Sequence, residues 1–314
     1  MNAAMAHTRE VYRQFCELHP QVPLFSQAWF LDAVCTDGAW GAALAIDNGR
    51  VAAVLPYFVK QRWGLRYITM PHFCKYLGPF FADAVDLTTQ HRLLTELLSQ
   101  LPRVQAFHQN FHPDVTNWLP FYWNDYQQTT YYTYIIHLQQ PEFVIHNINR
   151  NMRRNIQKAQ ALLTIDEEDA PDLFYEINRL SFQRQGLRPP YTREQFLRQD
   201  AALAAHNARR ITFARDAAGK LYSAAYLIWD RQRSYYHLSG DDPAQRSSGG
   251  GILLVYDAIR YTSEKLGLSI FDFEGSMLPG VEAIRRQFGA VQTPYSHVWR
   301  YHSRLLRLWA ALRR

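Results

Sequence analysis

Three consecutive glycines, Gly249–Gly251, stand between a segment typical of a β-strand and a segment typical of an α-helix. Ser234–Ser239 favours a strand, and Ile252 begins an apolar pattern that predicts a helix to Leu266, with Gly267 as its left-handed cap. Glycine lets the main chain approach a ligand closely, and the N–H groups at a helix N-terminus suit an anion. The glycine run therefore predicts a strand–loop–helix unit that binds a phosphate.

The rest of the loop narrows the kind of phosphate site. It reads Gln245-Arg246-Ser247-Ser248-Gly249-Gly250-Gly251, in which Arg246 is suited to charge-assisted hydrogen bonds with a phosphate. A dinucleotide fingerprint needs a third glycine where Leu254 stands, and the Gly-Lys-Ser/Thr ending of a P-loop is missing. The plain alternative is a glycine-rich turn before a helix. The predicted cofactor-binding residues are Arg246, Ser248, Gly249, Gly250 and Gly251.

The length of 314 residues exceeds one ordinary core and predicts two domains of about 150 residues each. Asp47-Asn48-Gly49 separates two apolar segments and indicates a β-hairpin in the first half. The second half repeats the order of strands and helices, with a basic helix predicted over residues 142–163 between the halves. We therefore expect a duplicated α/β fold of mixed β-sheets flanked by helices, with domains over residues 1–140 and 141–314.

Composition restricts the classes of partner and site. Hydrophobic residues are 47% of the chain, which fits a globular protein, and no run of about 18 apolar residues predicts a membrane span. The net charge of +6 favours a nucleotide cofactor, nucleic acid or an anionic membrane without choosing among them. The three cysteines are widely spaced and form neither a metal-ligand pattern nor a disulfide framework. We therefore expect no metal site, and reduced thiols in the cytoplasm.

Several stretches of the second half carry a family resemblance. Arg246–Gly251 resembles the acyl-CoA pyrophosphate loop of the GNAT superfamily of N-acetyltransferases, and Ile211–Trp299 is similar to the core of that superfamily. Phe271–Ser276, followed by Gly280-Val281-Glu282, resembles the FemAB-like branch, which has tandem acetyltransferase-like domains and includes peptidoglycan-bridge aminoacyltransferases. The resemblance implies tandem GNAT-like domains and an N-acyltransferase with acyl-CoA, such as acetyl-CoA, as co-substrate and no metal.

The resemblance leaves three functions open. The leading one is transfer of an acyl group from acyl-CoA to an amine, on a cell-envelope precursor or a polar metabolite. The second is Fem-like aminoacyl transfer from aminoacyl-tRNA in peptidoglycan synthesis, although the long coiled-coil arm of many such enzymes is missing. The third is a binding module that has lost catalysis. It stays open because Arg285 stands where the acetyltransferase pattern often has a tyrosine that acts as the acid for the leaving thiolate.

Acyl transfer to an amine requires a base, and two acids follow the loop-helix unit. If Ser269–Glu274 is a strand, Asp272 and Glu274 share one face, and Glu274 lies beside Gly275, where its side chain can reach a cleft. Glu274 is therefore the first candidate base and Asp272 the second. The alternative is that both acids form ion pairs with neighbouring arginines such as Arg285 or Arg286.

Other residues are candidates for binding the acceptor. Lys75, Tyr76 and Trp123 lie in polar and aromatic connections of the first half, and Tyr191 follows a proline pair in the second. Arg150 and Arg154 are one helical turn apart and suit a phosphate of the acceptor, or else form a solvated basic face. Residues 304–314 form a basic amphipathic pattern that predicts packing on the domain or docking at a membrane surface, where a lipid-linked acceptor would be found.

Overall fold

The computed structural model of the protein describes residues 3–138, 146–275 and 277–303. Contacts group the chain into two units. Unit 1 comprises the residues up to Tyr131 together with those from Pro294 onward, and unit 2 runs from Tyr132 to Thr293. The boundary predicted between residues 140 and 141 lies outside the described residues and stays a prediction. So does the amphipathic segment 304–314.

Helices and strands are interspersed along the described chain, and β6 and β12 pass from one unit to the other. In chain order the elements are α1 (Ala3–Leu18), α2 (Ala28–Val34), β1 (Ala39–Asp47), β2 (Arg50–Arg62), β3 (Leu65–Thr69), β4 (Phe80–Phe81), α3 (Leu87–Ser99), β5 (Ala106–Asn110), α4 (Leu119–Trp123), β6 (Gln127–His137), α5 (Arg150–Leu162), β7 (Thr164–Glu167), α6 (Pro171–Gln183), α7 (Arg193–Ala205), β8 (Arg209–Arg215), β9 (Leu221–Trp229), β10 (Arg233–Asp241), α8 (Gly250–Glu264), β11 (Ile270–Asp272), α9 (Pro279–Gln287) and β12 (Val291–Tyr301). Among these, no helix has both the length and the apolar character needed to cross a membrane.

Unit 1 is a mixed sheet covered by helices. Strands β1, β2 and β3 are antiparallel neighbours, β5 runs parallel to β3, and β12 pairs antiparallel with β5. The predicted hairpin is confirmed, because Asn48 and Gly49 both have positive φ values, 48° and 77°, as a two-residue hairpin turn requires. Leucines of α3 pack with Phe107 and Val298 in one core. The helix between β3 and β5 makes their parallel pairing possible.

Unit 2 repeats this arrangement with different strands. Its sheet has the order β6, β11, β10, β9, β8, β7, and only β10 and β11 are parallel. Helix α8 connects those two strands and ends at Glu264, two residues before the predicted end at Leu266, and Gly267 has the predicted left-handed conformation at φ 65°. Met152 and Ile156 of α5 pack with Leu253 and Leu254 of α8 in a second core. The predicted class, mixed sheets flanked by helices, is confirmed.

Helix α6 is packed so closely on β10 that it fixes the position of that strand. A β-carbon added to Gly240 would lie 2.5 Å from the main-chain nitrogen of Asn178, well inside contact distance. The Asn178 amide also donates to the carbonyl oxygen of Ser239 at 2.7 Å. Glycine is therefore required at residue 240 for β10 to lie directly against α6.

We predict that Gly240→Ala destabilises the protein, because the methyl group would push β10 away from the backbone of α6. Overpacking of this kind costs about 1–3 kcal/mol of the free energy of unfolding. Gly280→Ala is the matched control, since a β-carbon there meets no atom within 4 Å. Urea denaturation would measure both variants, and equal midpoints for the two would contradict the account.

Candidate active site

The site is formed where β10 and β11 separate. The strands pair in parallel only from Arg233–Tyr235 to Ile270–Asp272. Strand β11 then ends, whereas β10 continues along β9 to Asp241. The separation leaves a cavity of about 270 Å³, bordered by Tyr236–Ser239 of β10 and by residues of α8 and α9. A ligand there would contact one strand and two helices.

The glycines at the start of α8 border this cavity. Gly249 caps the helix with a φ of 80°, a left-handed conformation that favours glycine. A β-carbon on Gly250 would lie 2.7 Å from Ser223 Oγ, and one on Gly251 would lie 2.9 Å from Asp241 Oδ1. The loop thus needs glycine for its conformation and for its packing. Because the first N–H groups of a helix lack intrahelical acceptors, the start of α8 supplies hydrogen-bond donors.

These surroundings fit an acyl thioester on a phosphate-bearing carrier. The start of α8 suits a phosphate, and Ile252, Val255 and Phe273 give apolar walls for an acyl arm. Among the lining residues that the structure describes, Asp241 is the one acid, and its Oδ1 accepts a hydrogen bond from Ser223 Oγ at 2.7 Å. Its charge opposes an anion at this loop. The cofactor roles of Arg246, Ser248 and the glycines stay predictions.

A buried pair of titratable side chains lies beside the cavity. His237 Nδ1 and Glu274 Oε1 are 2.7 Å apart, and the two side chains are 2% and 12% exposed. The amide nitrogen of Gln199 lies 2.7 Å from the other ring nitrogen, Nε2. With the proton on Nδ1, His237 donates to the carboxylate and accepts from Gln199. Since His237 and Phe273 both line the cavity, Glu274 adjoins its wall.

Asp272, the second candidate base, is buried and acts as an anchor in the structure. Its side chain is fully inaccessible, and its Oδ1 accepts from Thr133 Oγ1 at 2.5 Å and from the N–H of Glu274 at 2.7 Å. Burial raises the pKa of Asp272 to about 6. A substrate cannot reach this carboxylate without rearrangement of the chain.

The strand predicted over Ser269–Glu274 is too long. Strand β11 ends at Asp272, and Glu274 has a φ of 57°, so its direction comes from a left-handed turn and not from strand alternation. Of the two arginines suggested as ion-pair partners, Arg285 stacks on the Phe273 ring at 5.7 Å, and Arg286 pairs with Glu282 at 2.9 Å.

The residues predicted to bind the acceptor do not form one group. In unit 1, Lys75 and Tyr76 both contact the Tyr295 ring, and Tyr76 is only 1% exposed, whereas Trp123 packs against His91. In unit 2, Tyr191 is buried and donates to Asn178 Oδ1 at 2.7 Å. Arg150 and Arg154 are exposed on α5. Their substrate-binding roles stay predictions.

Sequence reasoning missed His237 and Gln199. The sequence did contain a signal for His237, because it is a titratable side chain within the predicted strand Ser234–Ser239. That strand was expected near the one that carries the two acids. No local pattern marks Gln199, which is one of several polar residues on α7 and becomes buried only in the fold.

Residues 146–283 match the family model described as "Acetyltransferase (GNAT) domain". Because it contains a match to this domain, the chain is assigned to the acyltransferase class. No curated protein matches the chain significantly in sequence. The match lies entirely within unit 2 as the contacts define it, and it includes the glycine loop, β10 and β11.

Solved structures match the fold of nearly the whole chain. FemX has a TM-score of 0.69 at 13% identity, covering 94% of this chain and 96% of its own. A tandem GNAT protein from the clavulanic acid biosynthesis pathway has 0.57 at 11%, covering 95% and 96%. L-PGS from Bacillus licheniformis has 0.59 at 11%, covering 95% and 94%. Residues 146–283 are therefore similar to a GNAT domain, and the fold of nearly the whole chain is similar to the folds of FemX and of a tandem GNAT protein, which confirms the GNAT and FemAB-like resemblance found in the sequence.

We predict that the buried Asp272 makes the protein more stable in mild acid. Because its native pKa of about 6 is above the ordinary value of 3.8, the folded protein binds an extra proton between these values. This contribution to the free energy of unfolding is therefore present at low pH and is lost as the pH rises through about 6. It is on the order of 2–3 kcal/mol.

Urea midpoints measured from about pH 4.5 to about pH 7.5 would test this for the wild type and Asp272→Asn. The amide keeps an oxygen to accept from Thr133 and from the Glu274 N–H. The difference in stability between wild type and variant should change by this amount across the range, and parallel curves would contradict the assignment.

Proposed function

We propose that the protein transfers an acyl group from an acyl-CoA to an amine, with the donor held in the cavity between β10 and β11. The observation that supports this is the buried His237–Glu274 pair beside a cavity that also borders the start of α8. The pair offers a proton acceptor, and the helix start offers a phosphate site. The same unit therefore has the two features that amine acylation requires.

The side chains divide the proton chemistry between them. An acyl-CoA supplies, when bound, a thioester carbonyl that is reactive toward amines. The acceptor amine loses a proton as the new C–N bond forms, and Glu274 takes that proton. The C–S bond of the thioester breaks, and CoA leaves as a thiolate that takes a proton from water. His237 orients the carboxylate through its Nδ1–H, and Gln199 holds the opposite side of the ring. Asp272 positions Glu274 by accepting a hydrogen bond from the main-chain N–H of Glu274.

The acceptor that we propose is an amine on a cell-envelope precursor, which can be lipid-linked, or on a polar metabolite, in the cytoplasm. Structures of similar fold include FemX, L-PGS and the C-terminal domain of a putative lysylphosphatidylglycerol synthetase from Agrobacterium fabrum. These similarities support an acceptor that belongs to the cell envelope. A polar metabolite is supported by the tandem GNAT protein of clavulanic acid biosynthesis.

We expect calorimetric titration to detect saturable binding of acetyl-CoA and CoA, with opposite effects of two substitutions at the loop. Arg246→Glu should weaken binding by about tenfold or more, since it reverses a charge predicted to contact phosphate. Asp241→Asn should strengthen binding, because it removes the acid that lines the cavity and keeps an oxygen for Ser223.

Absence of binding by the folded wild type would contradict the acyl-CoA donor and would favour aminoacyl-tRNA as the donor instead. Weaker binding in Asp241→Asn would contradict the placement of the phosphate near that residue.

We predict that Glu274→Gln lowers kcat by about a hundredfold or more, with KM for acetyl-CoA little changed, because the amide cannot accept the proton. Thiol release from acetyl-CoA over a panel of amines would measure turnover. Glu282→Gln is the matched control, since that carboxylate pairs with Arg286 on α9. Unchanged turnover in Glu274→Gln would remove this residue from the mechanism.

A further inference from the structure

Helix α9 and its flanking residues present an apolar surface. No residue of α9 is buried in the protein. Met277 and Leu278 before the helix are 57% and 63% exposed, Ile284 within it is 38% exposed, and Val291 after it is 57% exposed. Isolated exposed apolar residues are ordinary, but four within fifteen positions around one helix indicate a surface that contacts another phase or molecule.

A basic helix begins where α9 ends. The N–H of Asn149, which caps α5, donates to the carbonyl oxygen of Gln287 at 2.8 Å. Phe288, directly after α9, lies in the same core cluster as Met152 and Ile156 of α5. The end of α9 therefore contacts the start of α5, and the exposed residues of α5 begin at that junction.

Helix α5 has four cationic side chains and no acidic one. Arg150, Arg154 and Lys158 are exposed, and Arg153 is half-buried. Within the described part of the chain, no carboxylate lies within ion-pair distance of these four side chains. In contrast, Arg210 of the same unit forms an ion pair with Glu167 at 2.7 Å. Unpaired cations on one helix produce a positive potential that attracts an anionic surface.

The surface also reaches the cavity. Val281, Ile284 and Arg285 of α9 line the cavity beside β10, and Ile284 is exposed as well. A molecule that covers α9 would therefore be next to the place where the donor is held. This step rests on the proposed function, whereas the surface itself does not.

We propose that this surface, formed by Met277, Leu278, Ile284, Val291, Arg150, Arg154 and Lys158, docks on an anionic phospholipid bilayer. Exposed apolar residues next to Lys and Arg are what an interfacial contact requires, since the apolar groups enter the headgroup region and the cations attract anionic lipid. A nucleic acid would use the cations of α5 but leaves the apolar residues of α9 without a partner. Docking there would bring a lipid-linked acceptor to the mouth of the cavity.

Co-sedimentation of the full chain with phosphatidylcholine vesicles, with and without about 30 mol% phosphatidylglycerol, tests the proposal. The wild type should bind the anionic vesicles and bind the neutral ones much less. Leu278→Asp should lower binding about tenfold or more. The variant should keep its fold, because aspartate is a favourable N-cap residue at this position before α9. Leu87→Asp is the matched control, because Leu87 is 58% exposed at the start of α3 in unit 1.

The charge arm compares two double variants with equal net charge. Arg154→Glu with Lys158→Glu should lower anionic-vesicle binding by about tenfold or more, whereas Arg184→Glu with Arg198→Glu, at exposed positions outside the surface, should change it by less than about threefold. Equal losses in the two pairs would overturn the proposal, as would no binding by the wild type. Loss of tRNA binding in the first pair, with vesicle binding intact, would overturn it in favour of nucleic acid.

The vesicle experiment contains neither acyl donor nor acceptor, so it distinguishes this proposal from the proposed function. Failure to bind vesicles, with acetyl-CoA binding intact, would overturn only the docking surface. Failure to bind acetyl-CoA, with vesicle binding intact, would overturn only the proposed donor.

Discussion

The carboxylate of Asp272 fixes the point at which β11 leaves the sheet. It accepts hydrogen bonds from Thr133 on β6 and from the main-chain N–H of Glu274, two residues further on. The chain then turns through left-handed conformations at Glu274 and Gly275, and a β-carbon at Gly275 would lie only 2.4 Å from the carbonyl oxygen of Tyr132. Because β11 stops here, β10 loses its neighbour and the cavity opens. The same turn directs Glu274 to His237.

The two units use the same crossover but differ at the start of its helix. In unit 2, α8 begins after glycines and has no side-chain cap at Gly249. In unit 1, α3 also connects two parallel strands, but Asp86 caps it and accepts from the N–H of Thr89 at 3.0 Å. The Asp86 carboxylate therefore occupies the place at the helix N-terminus where a bound anion would lie. Its hydrogen bonds there lower the pKa of Asp86. A phosphate site at a crossover helix is therefore expected in unit 2.

Much of the fold follows from local sequence patterns. Asn48-Gly49 marks the hairpin, the glycine run marks the start of α8, and Gly267 marks its end, because each reflects a backbone conformation that few residues adopt. The end of β11 does not follow in this way, since Asp272 stops the strand through a partner on β6 that is 139 positions away. The exchange of β12 into unit 1 is equally non-local. In the site, Glu274 was predictable as an acid after a strand, but its contact with His237 depends on how β10 and β11 separate.

Hydrogen–deuterium exchange of the full chain with and without acetyl-CoA tests whether unit 2 holds an acyl-CoA donor between β10 and β11. Bound acetyl-CoA should slow exchange at the first turn of α8 and at Tyr236–Ser239, with no change along β3, α3 and β5. Slower exchange confined to unit 1, or no change at α8 with acetyl-CoA in excess, would contradict it.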